Sequence, residues 1–325
     1  VVEILDVGPQ PVSHRFLHSM TEDEYTHPVI LGLCEACGLL QMLTPMPSSE
    51  LMPRYEWLTS TEPEAHLDQL VETICSLPGI TKDSVICGIS WKEDTTLERF
   101  NQLGYQNTWR VDPKEDLGIQ NPLANVETIQ ECLTPETAMA ITSVRGKADV
   151  VIARHLIEHA FDIRQFMMAV RSMVHPKGYV IFEIPDCHRA LEKLDYTTIW
   201  EEHTLYFTPE TFRNCFGFGG LSLIHFEKAP YPLEDSYIGI AQPKEDLDEP
   251  LPSEIILRNE IDRARNFANG LYNQKKKIKT FLSEYRRQQG KVALFGAAHM
   301  ACVFINLLEL KDHIEFVVND NPHKK

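Results

Sequence analysis

Short apolar runs broken by proline and glycine dominate the first sixty residues. The runs are Val2 to Val7, Pro28 to Leu33 and Leu39 to Leu43, and they predict a small β-rich module. From residue 64 to residue 77 apolar side chains recur every three or four positions, which predicts a helix that ends at Pro78-Gly79. We therefore place one domain over residues 1–60 and begin a second at residue 61.

Strands alternate with helices between residues 84 and 242, which is typical of a parallel sheet covered on both faces. Two helix starts are well marked, because Thr134 and Thr208 each supply an N-cap that is followed by proline at the first helical position. The candidate strands are Val85–Ile89, Thr108–Val111, Asp149–Ala153, Tyr179–Ile184, Leu221–Phe226 and Tyr237–Ala241. We predict an α/β domain over residues 61–242.

A third region follows a linker rich in proline and acidic residues. Between Leu257 and Tyr285 apolar residues recur on alternating steps of four and three, which predicts one long helix. The helix leads to an apolar strand, Lys291–Ala297, and after another helix to a second strand, Ile314–Val318. We interpret residues 253–325 as a helix plus part of a truncated, Rossmann-like C-terminal domain.

Composition and charge narrow the classes of partner. Hydrophobic residues make up 43% and charged residues 24% of the chain, as in folded proteins. The formal net charge of −16 disfavours nucleic acid as a partner. Neither a membrane-spanning apolar stretch nor a secretion signal is visible, and eight scattered cysteines suit a reducing compartment. We expect a cytoplasmic protein, and the sequence leaves its oligomeric state open.

Cys34 and Cys37 have a spacing that carries chemical meaning. In a C-x-x-C-G turn, two thiolates can reach one tetrahedral zinc ion and supply half of its ligands. The other ligands would lie ahead of the first residue or come from three histidines, His14, His18 and His27. A redox pair is the alternative, but it should open a helix, and this pair lies between strand-like runs.

The strand that ends at Gly88 and the strand that ends before Asp112 carry the features of a nucleoside site. A glycine at a strand-to-helix turn lets a cofactor approach the backbone, here with Ser90 in the turn. An acidic residue about twenty positions later can bind both ribose hydroxyls. The signal is weak alone, because the other glycines of a nucleotide fingerprint are absent and aspartates before proline are common in turns.

Ionisable residues become denser further along the chain. One group follows a predicted strand at its carboxyl end, where open α/β sheets bind ligands, and comprises Arg154, His155, Glu158 and His159. A second group comprises Glu202, His203 and Tyr206. A histidine flanked by carboxylates can act as a general base, whereas the structural alternative is a histidine that only packs or caps.

Six segments of the sequence carry a family likeness. They are Cys34-x-x-Cys37-Gly-Leu-Leu-Gln, Tyr55–Ser60, Val111-Asp112-Pro113, Leu156-Ile157-Glu158-His159, Pro176-Lys177-Gly178 and Glu202-His203-x-x-Tyr206-Phe207. Together with Phe295–Ala298 and Val317–Pro322, they resemble the sugar C-methyltransferase family over nearly the whole chain. The resemblance implies a class I methyltransferase Rossmann-like fold, between a zinc-binding module and a C-terminal Rossmann-like domain. Members of that family use S-adenosylmethionine to methylate carbon 3 of nucleotide-linked 4-keto-6-deoxy sugars.

The resemblance also implies roles for single residues. His203 matches the family's proposed base, with Glu202 beside it, and His159 matches a second active-site histidine. Tyr206 would hydrogen-bond the developing enolate oxygen, and Tyr55 or Trp57 would reach the substrate. Gly88 and Asp112 match the family's contacts to the methionine and ribose ends of the cofactor. From their places at the strand ends we add three further predicted cofactor contacts, Ser90, Arg154 and His155. Cys34 and Cys37 would be the second half of a four-cysteine zinc site whose first pair precedes Val1.

The sequence departs from the family pattern in two places. Ile86 and Asp94 stand where the family has a glutamate and a second glycine of the cofactor loop, and Trp200 and Glu201 replace its tyrosine and histidine. The alternatives are an O- or N-methyltransferase and a scaffold that has lost the cofactor. A nicotinamide-dependent oxidoreductase is weaker, because no G-x-G-x-x-G is present.

Overall fold

The structure is a computed structural model that describes residues 1–17, 19, 21–56, 58, 64–231, 234–244 and 251–324. The chain forms two compact units. The first comprises Val1–Thr59, Cys187–Tyr206 and Ser253–Lys325, and the second comprises Ser60–Asp186 and Phe207–Pro252. Two of these divisions fall beside predicted domain boundaries, whereas the sequence gives no sign that residues 187–206 join the first unit. The predicted boundaries themselves stay predictions.

The predicted strands and the long helix are all present, with ends shifted by a few residues. The strands are β1 (Val2–Pro11), β2 (Thr26–Leu33), β3 (Leu40–Met42), β4 (Ile86–Gly88), β5 (Thr108–Arg110), β6 (Ala148–Arg154), β7 (Val174–Pro185), β8 (Leu205–Tyr206), β9 (Leu221–Ala229), β10 (Ser236–Pro243), β11 (Ala293–Phe295) and β12 (Phe316–Val318). The α-helices are α1 (Ser48–Leu51), α2 (Leu67–Cys75), α3 (Asp94–Gln102), α4 (Val126–Cys132), α5 (Pro135–Arg145), α6 (Ile163–Met173), α7 (His188–Lys193), α8 (Pro209–Phe218), α9 (Glu254–Gln289) and α10 (His299–Leu307). Short 3₁₀ turns lie at Trp91–Glu93, Ile157–His159, Tyr196–Thr198 and Pro322–Lys324.

The second unit is built on a six-stranded sheet in the order β5-β4-β6-β7-β10-β9. Strands β5, β4, β6 and β7 are parallel, β10 runs antiparallel to β7, and β9 runs antiparallel to β10. Parallel strands of this kind are apolar throughout because helices cover both faces. The sheet confirms the predicted α/β class.

Alternating side chains of the sheet enter two separate apolar layers. On one face Ile152 and Ile181 pack with Leu70 of α2 and with α3. On the other face Phe182 lies 6.4 Å from Phe166 of α6 and 5.8 Å from Phe216 of α8, measured between ring centroids. Both layers are buried, so the sheet is held rigid on each side.

The predicted helix starts at Thr134 and Thr208 are confirmed. The Thr134 hydroxyl accepts from the backbone N–H of Thr137 at 3.2 Å, and the Thr208 hydroxyl accepts from that of Thr211 at 3.3 Å. Each cap is followed by proline at the first helical position. The caps satisfy amide groups that would otherwise lack a partner within the helix.

The first unit contains an antiparallel sheet in the order β1-β2-β3-β8 and a parallel pair, β11 and β12. Helix α9 spans 36 residues and buries Ala264, Phe267 and Leu271, which repeat at the predicted spacing of three and four. These side chains join a core formed with β2, β3, α7 and α10. Within the residues that the structure describes, no helix combines the length and the apolarity that crossing a membrane requires.

Gly178, in the Pro-Lys-Gly segment of β7, lies at a register irregularity between β7 and the neighbouring strand β6. A Cβ atom at this position would lie 2.5 Å from the backbone oxygen of Asp149 and 2.7 Å from Val174 Cγ2. The first neighbour is backbone held in the parallel ladder, so it cannot turn aside as a side chain could. The sterics of this ladder therefore require glycine.

We predict that Gly178→Ala lowers the free energy of unfolding by about 1–3 kcal/mol, the usual cost of overpacking. Urea unfolding followed by circular dichroism would measure the loss. Lys177→Ala is the matched control, since Lys177 is exposed and such changes stay within about 0.5 kcal/mol. Equal stability of Gly178→Ala and the wild type would contradict the prediction.

Candidate functional site

The turn after β4 places two predicted cofactor residues, Gly88 and Ser90, at the carboxyl end of a parallel strand. A Cβ on Gly88 would lie 2.6 Å from Glu93 Cβ, so glycine lets the turn close over the Glu93 side chain. The Ser90 hydroxyl accepts from the N–H of Lys92 at 3.2 Å, and Glu93 Oε2 accepts from the N–H of Ser90 at 2.5 Å. This reciprocal capping box fixes the turn that a cofactor would approach.

The carboxylate of Glu93 joins the ends of two neighbouring strands. Its side chain is fully buried, and Oε1 accepts from the backbone N–H of Arg154 at 2.7 Å, across from β4 to β6. Burial raises the pKa of Glu93 to about 7, although the hydrogen bonds from Arg154 and Ser90 act in the opposite direction. Glu93 is not among the residues predicted from the sequence, although the Ser-x-x-Glu spacing of a capping box indicates its contact with Ser90.

Asp112 follows β5, beside the end of β4, since the N–H of Val111 donates to the carbonyl of Gly88 at 2.9 Å. Asp112 Oδ1 accepts from the N–H of Glu115 at 2.8 Å and from that of Lys114 at 2.9 Å. These hydrogen bonds, led by that from Glu115, lower the pKa of Asp112. Gly88 and the anionic Asp112 thus lie at adjacent strand ends, as predicted.

Arg154 and His155 lie at the carboxyl end of β6, and their polar groups turn towards Glu183 of β7. Arg154 is 2% exposed; its Nε donates to Glu183 Oε2 at 2.5 Å and its Nη1 to the carbonyl of Lys92 at 2.7 Å. His155 adopts a left-handed backbone with φ 47°, and its N–H donates to the carbonyl of Glu183 at 2.8 Å. Both predicted residues therefore border the expected ligand edge.

Glu183 is the centre of a buried polar cluster that the sequence analysis missed. Glu183 Oε1 lies 2.9 Å from His66 Nε2 and 3.4 Å from the hydroxyl of Tyr231, which is 2.7 Å from His66 Nδ1. Burial alone would raise the pKa of Glu183, but hydrogen bonds from His155 and His66 and the Arg154 charge hold it well below its usual value. The sequence feature that indicates this cluster is a glutamate inside an otherwise apolar strand.

His159 forms a buried pair with a carboxylate. The histidine is 4% exposed, and its Nδ1 lies 2.6 Å from Oε1 of Glu127. Glu127 is buried in the first turn of α4, whose N-cap is Asn125. A histidine held by a carboxylate is the arrangement of a general base. The sequence predicted His159, but it gave no sign of Glu127 as the partner.

His203, Glu202 and Tyr206 belong to the first unit. The ring of His203 stacks on that of Trp200, with 5.2 Å between centroids, and Glu202 Oε1 lies 3.1 Å from His14 Nε2. The Tyr206 hydroxyl donates to the carbonyl of Trp200 at 3.0 Å, and burial raises its pKa well above the usual value. The roles predicted for these three residues stay predictions.

The aromatic segment predicted to reach the substrate is described in part. The hydroxyl of Tyr55 donates to the carbonyl of Phe16 at 3.3 Å, and the side chain is partly buried. Trp57 lies outside the described residues. The substrate role of Tyr55 therefore stays a prediction.

Cys34 and Cys37 form a tight turn at one end of the β1–β2 hairpin. Burial raises the pKa of Cys37 to about 11, with a further contribution from Cys34. His27 lies at the other end of β2. At about 3.3 Å per residue of strand, roughly 20 Å separate it from the cysteine turn. His14 lies at that same far end, just after β1, which pairs with β2 there.

The cysteine turn therefore offers two of the four ligands that structural zinc requires. In the part of the chain that the structure describes, no group of three close ligand atoms includes either thiol. His18, the third histidine considered, lies outside the described residues. The described residues by themselves do not complete a zinc site.

Two segments of the chain match known protein families. Residues 93–225 match the family described as "Methyltransferase domain", and residues 239–325 match "C-methyltransferase C-terminal domain". Among curated proteins, C-methyltransferase NovU of Streptomyces niveus is 24% identical over 233 residues, which are 70% of this chain and 55% of NovU. The chain thus spans about half the length of this relative.

Solved structures show a partial likeness. The 1,6-didemethyltoxoflavin-N1-methyltransferase of Burkholderia thailandensis has a TM-score of 0.38 at 9% identity, over 56% of this chain and 80% of that one. Magnesium protoporphyrin IX methyltransferase of Synechocystis PCC 6803 has a TM-score of 0.39 at 13% identity, over 56% of this chain and 83% of that one. Scores at this level add no argument to the sheet topology and the family matches.

The mixed six-stranded sheet and the match over residues 93–225 define a class I methyltransferase fold. The match over residues 239–325 and the likeness to NovU support a relationship to C-methyltransferases. The predicted fold and this family resemblance are confirmed. The individual site residues stay predictions.

The raised pKa of Glu93 predicts a pH-dependent stability. Between pH 4.5, its usual pKa, and about 7 the folded chain keeps a proton that the unfolded chain has lost. The free energy of unfolding contributed by Glu93 therefore falls as pH rises through this window. Relative to Glu93→Gln, the wild type should lose about 3 kcal/mol between pH 4.5 and 7.5.

Urea unfolding of both proteins at the two pH values would measure this change. Any constant cost of placing an amide NH₂ against two N–H donors cancels when the two pH values are compared. Glu136→Gln, at an exposed position of α5, is the control. A wild type whose stability relative to Glu93→Gln is independent of pH would show that Glu93 does not titrate in this window.

Proposed function

We propose that this protein transfers a methyl group from S-adenosylmethionine to a carbon beside the ketone of a nucleotide-linked 4-keto-6-deoxy sugar. The match of residues 239–325 to the C-methyltransferase C-terminal domain carries the proposal. It favours carbon over oxygen or nitrogen as the methyl acceptor. The resemblance of the sequence segments to the sugar C-methyltransferases supports the choice of substrate.

Three neighbouring strand ends would hold the cofactor. The turn from Gly88 to Ser90 follows β4, Asp112 follows β5, and Arg154 with His155 ends β6. These strands are adjacent and parallel, so their carboxyl ends meet at one edge, where open α/β sheets bind ligands. Asp112 would accept hydrogen bonds from the ribose hydroxyls, because its low pKa keeps it anionic.

The proposed reaction begins with proton abstraction. The 4-keto group acidifies the neighbouring C–H, His203 accepts that proton, and the electron pair moves onto the ketone oxygen as an enolate. The cofactor supplies an electrophilic sulfonium methyl group. The enolate carbon forms the new C–C bond as the methyl–sulfur bond breaks, which leaves S-adenosylhomocysteine.

The other predicted residues would support the charged states of this reaction. His159 is assigned to a hydrogen bond with the developing enolate oxygen, where a positioned donor strengthens as charge grows. Tyr206 donates its one hydroxyl proton to the Trp200 carbonyl, so it would have to exchange that bond to make the same contact. Glu202 is assigned to orient His203, and Tyr55 to contact the substrate. Zinc takes no part in the reaction, and Cys34 and Cys37 remain its predicted ligands.

The cofactor assignment predicts that Asp112→Asn weakens binding of S-adenosylhomocysteine about 10- to 100-fold. Asparagine keeps the oxygen that accepts from the Lys114 and Glu115 amides, but it loses the charge, and charged hydrogen bonds contribute about 1.5–3 kcal/mol. Isothermal titration calorimetry would measure the affinities. Glu115→Gln removes a charge from the same turn and is the control. Equal weakening in both variants, or no binding by the wild type, would contradict the assignment.

The base assignment predicts that His203→Gln lowers the rate of methyl transfer at least about 100-fold, because general-base catalysis contributes that much. Affinity for S-adenosylhomocysteine should stay within about twofold. Product mass spectrometry and NMR would measure turnover and locate the methyl group. His225→Gln, which changes a partly exposed histidine paired with Glu227, is the control. A methyl group found on oxygen or nitrogen would refute the proposed reaction.

A further inference from the structure

Three rings of the first unit stack against one another. The indole of Trp200 lies between two histidines in this series: its centroid is 5.2 Å from that of His203 and 3.8 Å from that of His299. The interplanar angles are 16° and 29°, so both contacts are stacked. The ring of the proposed base is thereby linked to a residue almost one hundred positions later in the chain.

Both ring nitrogens of His299 face hydrogen-bond acceptors. Nδ1 lies 3.1 Å from Oε2 of Glu201, and Nε2 lies 3.3 Å from the carbonyl oxygen of Thr197. A carbonyl and an ionised carboxylate can only accept, so a protonated ring nitrogen of His299 donates to one of these two oxygens. The imidazole is thus held between Glu201 and Thr197.

The surroundings of His299 hold its ring in place. His299 is 7% exposed and begins helix α10. Its partner Glu201 is 4% exposed, and the other oxygen of Glu201 accepts from the N–H of Ser13 at 2.6 Å. Burial alone would raise the pKa of Glu201, but the hydrogen bond from His299 lowers it below its usual value. The indole of Trp200 stacks on the imidazole.

We propose that His299 is a positioning residue for His203: its ring, held by Glu201 and Thr197, fixes the indole of Trp200, against which the His203 ring is oriented. The effect on catalysis rests on the proposed function, whereas the effect on the rings does not. His299 lies in the segment that matches the C-methyltransferase C-terminal domain. That domain therefore contributes to the geometry of the base.

The indole is a suitable intermediary because it is wide and rigid. Its own backbone carbonyl accepts from the N–H of His203 at 3.2 Å and from the hydroxyl of Tyr206 at 3.0 Å. These bonds fix the backbone around the base, and the stack contributes to the orientation of the His203 ring. Loss of the His299 face would loosen the indole and thereby shift the base.

The first experiment observes the rings without catalysis, by NMR of ¹⁵N-histidine-labelled chain. The Hε1 resonance of His203, assigned with His203→Gln, should move in His299→Gln and move less in His299→Phe, which keeps an aromatic face. A His203 resonance that moves as far in His299→Phe as in His299→Gln would overturn the role of the stacked face.

The matched control is His188→Gln, because His188 also pairs with a glutamate, Glu192 at 3.1 Å, but on a partly exposed helix. This variant should leave the His203 resonance in place. Circular dichroism checks that each variant is folded, and Glu201→Gln replaces His299→Gln if the latter unfolds. An unmoved His203 resonance in folded variants at both His299 and Glu201 would refute the positioning role.

Kinetics supply the second readout. His299→Gln should lower kcat about 10- to 100-fold, as expected when a catalytic group is misplaced by about an ångström, with KM for S-adenosylmethionine within about twofold. A rise in KM at constant kcat would refute positioning of the base. If the wild-type chain transfers no methyl group, the proposed function fails, and the resonances alone decide whether His299 controls the rings.

Discussion

Two buried carboxylates hold the carboxyl edge of the main sheet, and the positions of the neighbouring groups depend on them. Burying an ionised carboxylate costs several kcal/mol unless donors or cations compensate. Glu93 receives two backbone N–H groups, so burial dominates and its pKa rises. Glu183 receives Arg154 and histidines, so its pKa falls well below the usual value. One carboxylate therefore ties β4 to β6 as a near-neutral link, and the other ties β6 to β7 as an anion.

The contacts of these two carboxylates limit which groups the carboxyl edge of the sheet can offer a ligand. The guanidinium of Arg154 already donates to Glu183 and to a backbone carbonyl, so these donors are not available to a ligand. Asp112 is different, because the backbone amides of Lys114 and Glu115 engage its Oδ1 within its own turn and keep it charged. An anion beside a close backbone turn suits a ribose better than a phosphate, which agrees with a nucleoside cofactor of positive charge.

The sequence predicted the fold well because the signals for it are local. Apolar periodicity located the strands and α9, and the Thr-Pro-Glu starts at residues 134 and 208 located two helices to the residue. The polar cluster of Glu183, His66 and Tyr231 could not be predicted in the same way. Tyr231 and His66 are 165 positions apart, and only the finished sheet brings them together. Glu93 lies between these cases, since its capping-box spacing is local but the contact with Arg154 is not.

The pairs of histidines and carboxylates show most clearly that contacts between distant residues cannot be predicted from local sequence signals. Adjacent residues suggested that Glu202 orients His203, yet the ion pair seen for Glu202 is with His14, and that for Glu201 is with His299. Consecutive side chains in a turn point in different directions, so neighbours in sequence seldom share a contact. The ring of the proposed base instead stacks on Trp200, which in turn stacks on His299 from a distant part of the chain. Trp200 and Glu201, the two residues that depart from the pattern of the family that the sequence resembles, both contact His299.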